Sequence, residues 1–383
     1  MPARANLLAV TTTAAQPSGP AALQLSRSAA QLTADLVDIE SVSGDEARIA
    51  DAVEAAVRRH GSLSVRRLGN VVIVRTELGR AERVVLAGHL DTVPIAGNLP
   101  SRVAEGRLHG CGTSDMKSGV ALQLRVLELV GTAALQPAVD LTWLFYDCEE
   151  VEASRNGLNR VAAEHPELLA ADLAILLEPT NGTVEGGCQG TMRAQLSTAG
   201  RRAHSARSWL GVNAIHLAAP LLQRLADYRA REVQVEGLTY REGLNAVFIE
   251  GGVAGNVIPD RCLVTVNYRF APDRSEAEAE QHLRSVFEGF ELTVLDSAPG
   301  ARPGLDRPLA QRAVAALGDE VAGKLGWTDV ARFSALGIPA LNFSPGDPNL
   351  AHRADESVEL AQLERCEQLL IGFLEHGTRV GTN

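Results

Sequence analysis

His89 and Asp91 stand two residues apart, just beyond the apolar run Arg83–Ala87. On an extended chain such positions face the same side, so the imidazole can ligate a metal while the carboxylate orients it from behind. Asp115 follows Gly110 and Gly112 and immediately precedes a helical pattern. Glu149 and Glu150 are adjacent at the end of the apolar run Asp140–Tyr146, where both side chains can turn into one cleft. Glu178 closes the run Asp172–Leu177 ahead of Pro179, and His352 sits in a loop near the C-terminus. Singly, each has an ordinary explanation: a strand-end pair, a helix N-cap, an acidic turn, a turn carboxylate, a surface histidine. Together, in this order and at the ends of predicted elements, they form the donor set of a hydrolytic metal centre.

Hydrolysing an amide near neutral pH needs an activated water, a polarised carbonyl and a proton for the departing amine. Two metal ions bridged by a carboxylate supply the first two requirements, and a glutamate left free of metal moves the proton. The sequence holds that inventory of imidazoles and carboxylates.

The elements that must position these groups follow from hydrophobic patterning. Helices are predicted over Leu23–Glu40, Asp45–His60 and Ser118–Val130. Strands are predicted over Ser64–Arg66, Asn70–Arg75, Arg83–Ala87, Asp140–Tyr146 and Asp172–Leu177. Alternating buried strands and helices predict an α/β fold with a mainly parallel central sheet, whose ligands gather at the carboxyl ends of strands. From about Gln195 the pattern changes to strand, helix (Asn213–Tyr228), strands (Asn245–Gly251 and Arg261–Phe270), helix (Ser275–Phe290) and strand (Glu291–Leu295). This predicts a smaller α+β domain over 193–304, inserted into a catalytic domain made of 21–192 and 305–383. The catalytic part resumes with a helix near Arg307–Leu317, the strand Ala340–Phe343 and a closing helix over Leu360–His376.

Composition limits the partners. The formal charge of -11 argues against nonspecific binding to nucleic acid or anionic membrane. No apolar run approaches the ~20 residues of a membrane span. Residues 1–20, rich in Ala, Thr and Pro, lack the basic-then-apolar pattern of a signal peptide and read as a disordered extension. The five cysteines form no CxxC pair, which suits a reducing, cytoplasmic compartment. Lys117 and Lys324 are the only lysines, and Lys117 lies inside the Asp115 motif.

The stretches Gly88–Pro94, Gly110–Gly119, Cys148–Glu150, Leu177–Thr180 and Leu350–His352 resemble the M20 family of metallopeptidases and amidohydrolases, over nearly the whole chain from about residue 22. Gly187–Met192, Ala203–Gly211, Tyr240–Val247 and Gly326–Phe333 are similar, within that family, to its actinobacterial succinyl-diaminopimelate desuccinylase branch. The resemblance implies a zinc-peptidase-like catalytic domain, a dimerisation lid and two zinc ions per subunit, which cobalt can replace. It implies that Asp115 bridges the metals, that His89 and Glu178 complete one site, and that Glu150 and His352 complete the other. Glu149 is then the general base and acid, with Asp91 behind His89. A cis peptide is implied at Asp115–Met116. His204 corresponds to a histidine that reaches the partner subunit's active site in a homodimer. Asn256 and Arg269 match substrate-binding positions.

Two segments depart from the family's pattern. Gln189–Arg193 replaces an Arg-rich stretch, which leaves Arg193, Arg269 and Arg332 as candidates to clamp a succinyl carboxylate, with Thr328 nearby in the motif. The segment Val151–Gly157 lacks the family's acidic-glycine continuation. The implied reaction converts N-succinyl-LL-2,6-diaminopimelate to succinate and LL-2,6-diaminopimelate, a step of lysine and cell-wall precursor synthesis. Another deacylase of the family, such as an acetylornithine deacetylase, is the enzymatic alternative. A catalytically inactive binding homologue is the alternative from a different class.

Overall fold

A computed structural model describes residues 22–318 and 320–376; the extension expected over 1–20 lies outside the described residues. The strand Arg83–His89 is central to an eight-stranded sheet. It pairs in parallel with Asp140–Tyr146 on one side and Leu173–Leu176 on the other, and Leu173–Leu176 pairs in parallel with Ala340–Asn342. Antiparallel strands flank this parallel centre: Val71–Arg75 beyond Asp140–Tyr146, and Val184–Gly186 beyond Ala340–Asn342.

Side-chain alternation explains why these segments read as unbroken apolar runs. Val84 and Leu86 pack into one core with Trp143 and Ile175, while Val85 and Ala87 pack into a second core with Leu144 and Leu176. The first core is closed by the helices Ala29–Val37, Ala47–Val57, Lys117–Gly131, Pro308–Leu317 and Leu360–His376. The second is closed by Gly157–Glu164 and Val330–Ala335. With helices on both faces, truncating Leu86 to Ala would cost about 2–5 kcal/mol.

A second sheet has four strands in the order Gly243–Gly251, Arg261–Phe270, Gly190–Ala199, Glu291–Ala298, all antiparallel. Its apolar face, with Leu196, Val264, Val266 and Tyr268, packs with Leu221 and Leu283 of the helices Ala219–Asp227 and Glu276–Val286. The other face is polar and carries Thr191, Arg193, Asn267 and Arg269. Among the described residues the strand Gly243–Gly251 pairs only with Arg261–Phe270, and it exposes Val247, Phe248 and Ile249.

Several predicted helices differ in extent, and that over Asp45–His60 forms only over Ala47–Val57. The first begins at Ala29, because Ser28 and Gln31 form a capping box, and it ends at Val37. The helix expected over Asn213–Tyr228 is two helices, Ala214–Leu217 and Ala219–Asp227. Pro220 lacks the N–H that a continuous helix would direct at His216. The helix expected to reach Phe290 stops at Val286. Among the described residues no helix is long and apolar enough to cross a membrane. All five cysteines are buried and unbridged.

Candidate active site

The candidate ligands converge at the carboxyl end of the parallel strands. His89 is the last residue of its strand; its Nδ1 faces the Asp91 carbonyl at 3.0 Å and its Nε2 faces Asp115 Oδ1 at 3.1 Å. Asp115 Oδ2 lies 3.4 Å from His352 Nε2, which is 2.9 Å from Glu150 Oε1. Asp115 therefore stands between two donor groups. His89, Asp115 and Glu178 offer ligand atoms within 4.8 Å of one another, and so do Asp115, Glu150 and His352. His89, Glu149 and Glu150 form a third such group, which sets Glu149 beside the shared region.

Local backbone conformation explains how the adjacent Glu149 and Glu150 both face inward. Cys148 takes a positive φ of 57°, so the chain turns sharply after the strand Asp140–Tyr146. Asp91 fixes the turned segment: its carboxylate accepts from the N–H of Glu149 (3.0 Å), the N–H of Glu150 (3.1 Å) and the Ser43 hydroxyl (2.7 Å). Asp91 thus holds the Glu149–Glu150 segment as well as contacting His89. The Asp115–Met116 peptide is cis, as is Leu99–Pro100.

Charge crowding marks the site for cations. Burial and the neighbouring Glu178 push the Glu149 carboxyl well above its usual range. Burial and Asp115 raise Glu178 to about 8, and its Oε1 is buried without a hydrogen-bond partner. Burial opposes a charge on His89, yet its contacts with Asp115 and Asp91 prevail and raise its pKa well above normal. His352 is raised to about 10 by its hydrogen bonds to Asp115 and Glu150. Burial also opposes ionisation of Asp115, but the two histidines hold its carboxyl below the usual range. Four carboxylates share two imidazoles, an arrangement that divalent cations would neutralise. The imidazole-and-carboxylate donor set fits zinc, and the unpartnered Glu178 oxygen fits a ligand position.

Glu356 and Glu46 escaped the sequence reading, whereas Lys117 and Lys324 had been singled out there. Glu356 accepts three main-chain N–H groups from the Asp115 loop. Glu46 accepts from the Gly44 N–H (2.6 Å) and the Cys148 N–H (3.3 Å). Lys324 donates to the Pro179 carbonyl (2.7 Å), bracing the turn after Glu178. Lys117 donates to the Ile39 carbonyl (2.8 Å) and burial lowers its pKa to about 8. For Glu356 the only sequence signal was its position four residues after His352.

The substrate-binding candidates fall into three places. His204 and Asn256 meet at a short two-stranded pairing, where His204 pairs in register with Val257 and Ser205 N–H donates to the Asn256 carbonyl (2.9 Å). His204 is exposed, and no hydrogen bond or ion pair joins it to the donor groups. Arg193 and Arg269 lie on the polar face of the four-stranded sheet. Arg269 donates from Nε to Asn267 Oδ1 (3.2 Å); among the described residues it has no carboxylate partner, and burial lowers its pKa. Arg332 is already engaged: it donates to Asp329 Oδ1 (2.8 Å) and Asn159 Oδ1 (3.2 Å) and lies over the Trp327 ring. Thr328 is buried and donates to Asn342 Oδ1 (3.0 Å).

The model of peptidase family M20/M25/M40 matches residues 85–376. The chain belongs to this family. It is an M20 hydrolase. It is 57% identical to a Mycobacterium tuberculosis protein provisionally named succinyl-diaminopimelate desuccinylase, over 90% of this chain and 97% of that one. It is 50% identical to a Corynebacterium glutamicum succinyl-diaminopimelate desuccinylase, over 90% of this chain and 95% of the other. Among solved structures, it superposes on a Staphylococcus aureus tripeptidase with a TM-score of 0.76 at 21% identity, covering 93% of this chain and 99% of that one. A Bacillus subtilis M20 peptidase described as binding a dinuclear metal gives a TM-score of 0.63 at 17% identity, covering 90% of this chain and 95% of that one. The expected family and α/β fold are thereby borne out.

Proposed function

We propose that this M20 hydrolase is a zinc-dependent succinyl-diaminopimelate desuccinylase, cleaving N-succinyl-LL-2,6-diaminopimelate to succinate and LL-2,6-diaminopimelate. The observation that carries this reading is the sharing of Asp115 between two donor groups, with Glu149 beside them, in a chain half identical to a named desuccinylase. His89, Asp115 and Glu178 would hold one zinc, and Asp115, Glu150 and His352 the other. When bound, zinc supplies Lewis acidity that polarises the amide carbonyl and makes water more acidic.

Glu149 then takes a proton from the attacking water as the water oxygen bonds to the amide carbon. It returns that proton to the nitrogen as the C–N bond breaks. Arg269 is the favoured clamp for the succinyl carboxylate, because its half-buried guanidinium has no acidic partner among the described residues, whereas Arg332 has one. Arg193, on the same sheet face, would add positive charge.

The inserted unit, 193–304, acts in this reading as a lid and dimerisation surface. Its unpaired strand edge at Gly243–Gly251 and the exposed Phe248 suit pairing with a second copy. His204 would then complete the partner's site as an oxyanion donor, and Asn256 would bind substrate beside it. The enzyme works in the cytoplasm, where its pathway and its unbridged cysteines belong.

The test is turnover of succinyl-diaminopimelate by apoenzyme given back zinc, compared with the N-acetyl analogue. Strong preference for succinyl is expected, because a buried arginine is left unpaired by acetyl. Equal kcat/KM for the two acyl groups would sink the desuccinylase assignment and leave the hydrolase.

A further inference from the structure

Glu356 has a buried carboxylate, 2% exposed, bound by main-chain N–H groups of the loop that presents Asp115. Its Oε1 accepts from Ser114 (2.8 Å) and Asp115 (3.0 Å), and its Oε2 accepts from Gly112 (3.0 Å). Among the described residues no arginine, lysine or histidine forms an ion pair with it. The main chains are joined as well. Gly110 N–H donates to the Glu356 carbonyl (3.2 Å) and the Ser114 hydroxyl to the Ser357 carbonyl (3.1 Å). The strand Ser357–Glu359 then pairs with Arg107–His109.

The loop is shaped for this convergence. Gly112 has a φ of +82°, and a Cβ there would fall 2.8 Å from Thr92 Cγ2. With that turn made, the N–H groups of residues 112, 114 and 115 point at a single anion, as in other main-chain nests. The arrangement links two ligands far apart in sequence: Asp115 is on the loop, and His352 is four residues before the carboxylate that organises it.

A buried carboxylate without a cationic side chain is costly even when it accepts hydrogen bonds. The compensation here is three main-chain donors, all of them from the loop that presents Asp115. We propose that Glu356 is a positioning residue for the metal centre. It fixes the Gly110–Asp115 loop so that Asp115 stands between both donor groups. This inference rests on the metal-centre reading given above.

The experiment measures zinc affinity of apoprotein by competition with a chromophoric chelator, beside apoprotein Tm and kcat and KM at saturating zinc. Glu356→Gln keeps the shape but sets an NH2 against one of the N–H donors and removes the charge. Its apoprotein is expected to fold and to bind zinc about 10–100-fold more weakly, with KM little changed once zinc saturates. Glu356→Asp, which retains the charge but retracts it by one methylene, should fall between the two. Wild type that takes up two zinc ions, with Glu356→Gln matching its affinity, overturns the proposal alone. Wild type that takes up no zinc overturns the metal-centre reading and this proposal with it. If neither variant yields folded apoprotein, the role is structural and the proposal also falls.

Discussion

Mixing two inactive variants tests whether His204 acts across a dimer. His204 Nδ1 accepts a hydrogen bond from the Ala206 N–H at 3.1 Å. In the neutral ring that acceptor leaves the proton on Nε2, so the exposed edge of the imidazole is a donor. Such a donor aimed at a developing oxyanion contributes about 3 kcal/mol, and His204→Ala should lower kcat by roughly 10²–10³-fold. Glu149→Ala should be inactive for the separate reason that the proton carrier is gone. If His204 serves the partner's site, a mixed dimer has one site lacking both groups and one site with both intact. Random exchange makes half the dimers mixed, so roughly a quarter of all sites recover. The assay uses separately tagged variants, with heterodimer formation verified by native mass spectrometry before turnover is measured. Verified heterodimers with no gain in activity would refute the arrangement, because a histidine acting within its own chain leaves every site defective.

Three further outcomes are expected. Glu149→Ala should retain zinc near the wild-type content while losing turnover; loss of both metals would mean that Glu149 and Glu150 have exchanged roles. Arg269→Ala should lower kcat/KM for the succinyl substrate by about 10–100-fold, the scale of a charged hydrogen bond, and leave acetyl turnover nearly unchanged, as steady-state kinetics on both substrates can decide. In the second unit, burial opposes ionisation of Glu242, but Arg231 and the Ala271 N–H outweigh it and hold its carboxyl below the usual range. Its contribution is therefore present above the unfolded value of about 4.3 and is lost as pH falls through the lower folded value. Thermal melts should show wild type losing more Tm than Glu242→Gln on acidification from about pH 5 to about pH 3, and parallel acid profiles would contradict this.

The parallel core was legible because its strands are buried on both faces. Asp140–Tyr146 has the bounds that its apolar pattern predicts, and so does Arg261–Phe270 in the antiparallel sheet. The donor residues were legible because His and carboxylates recur at strand ends, where α/β sheets collect ligands. What stayed hidden was the support. Glu356 meets residues 112, 114 and 115 across more than 240 positions of sequence, and no local periodicity encodes such a contact. The engagement of Arg332 by Asp329 was within reach, since the two are three apart on a short helix, but that helix was not predicted. The break at Pro220 and the capping box at Ser28 were readable local signals that the longer apolar pattern obscured.

The burial of Lys117 and Lys324 leaves this protein with a folded surface that carries no lysine amine. An amine-selective acylating reagent therefore finds no lysine to modify until the packing around these two side chains opens. The two amines sit at different seams, one donating to Ile39 and the other to Pro179. The order in which they become labelled would report which seam parts first, giving an internal clock of local unfolding without any engineered probe.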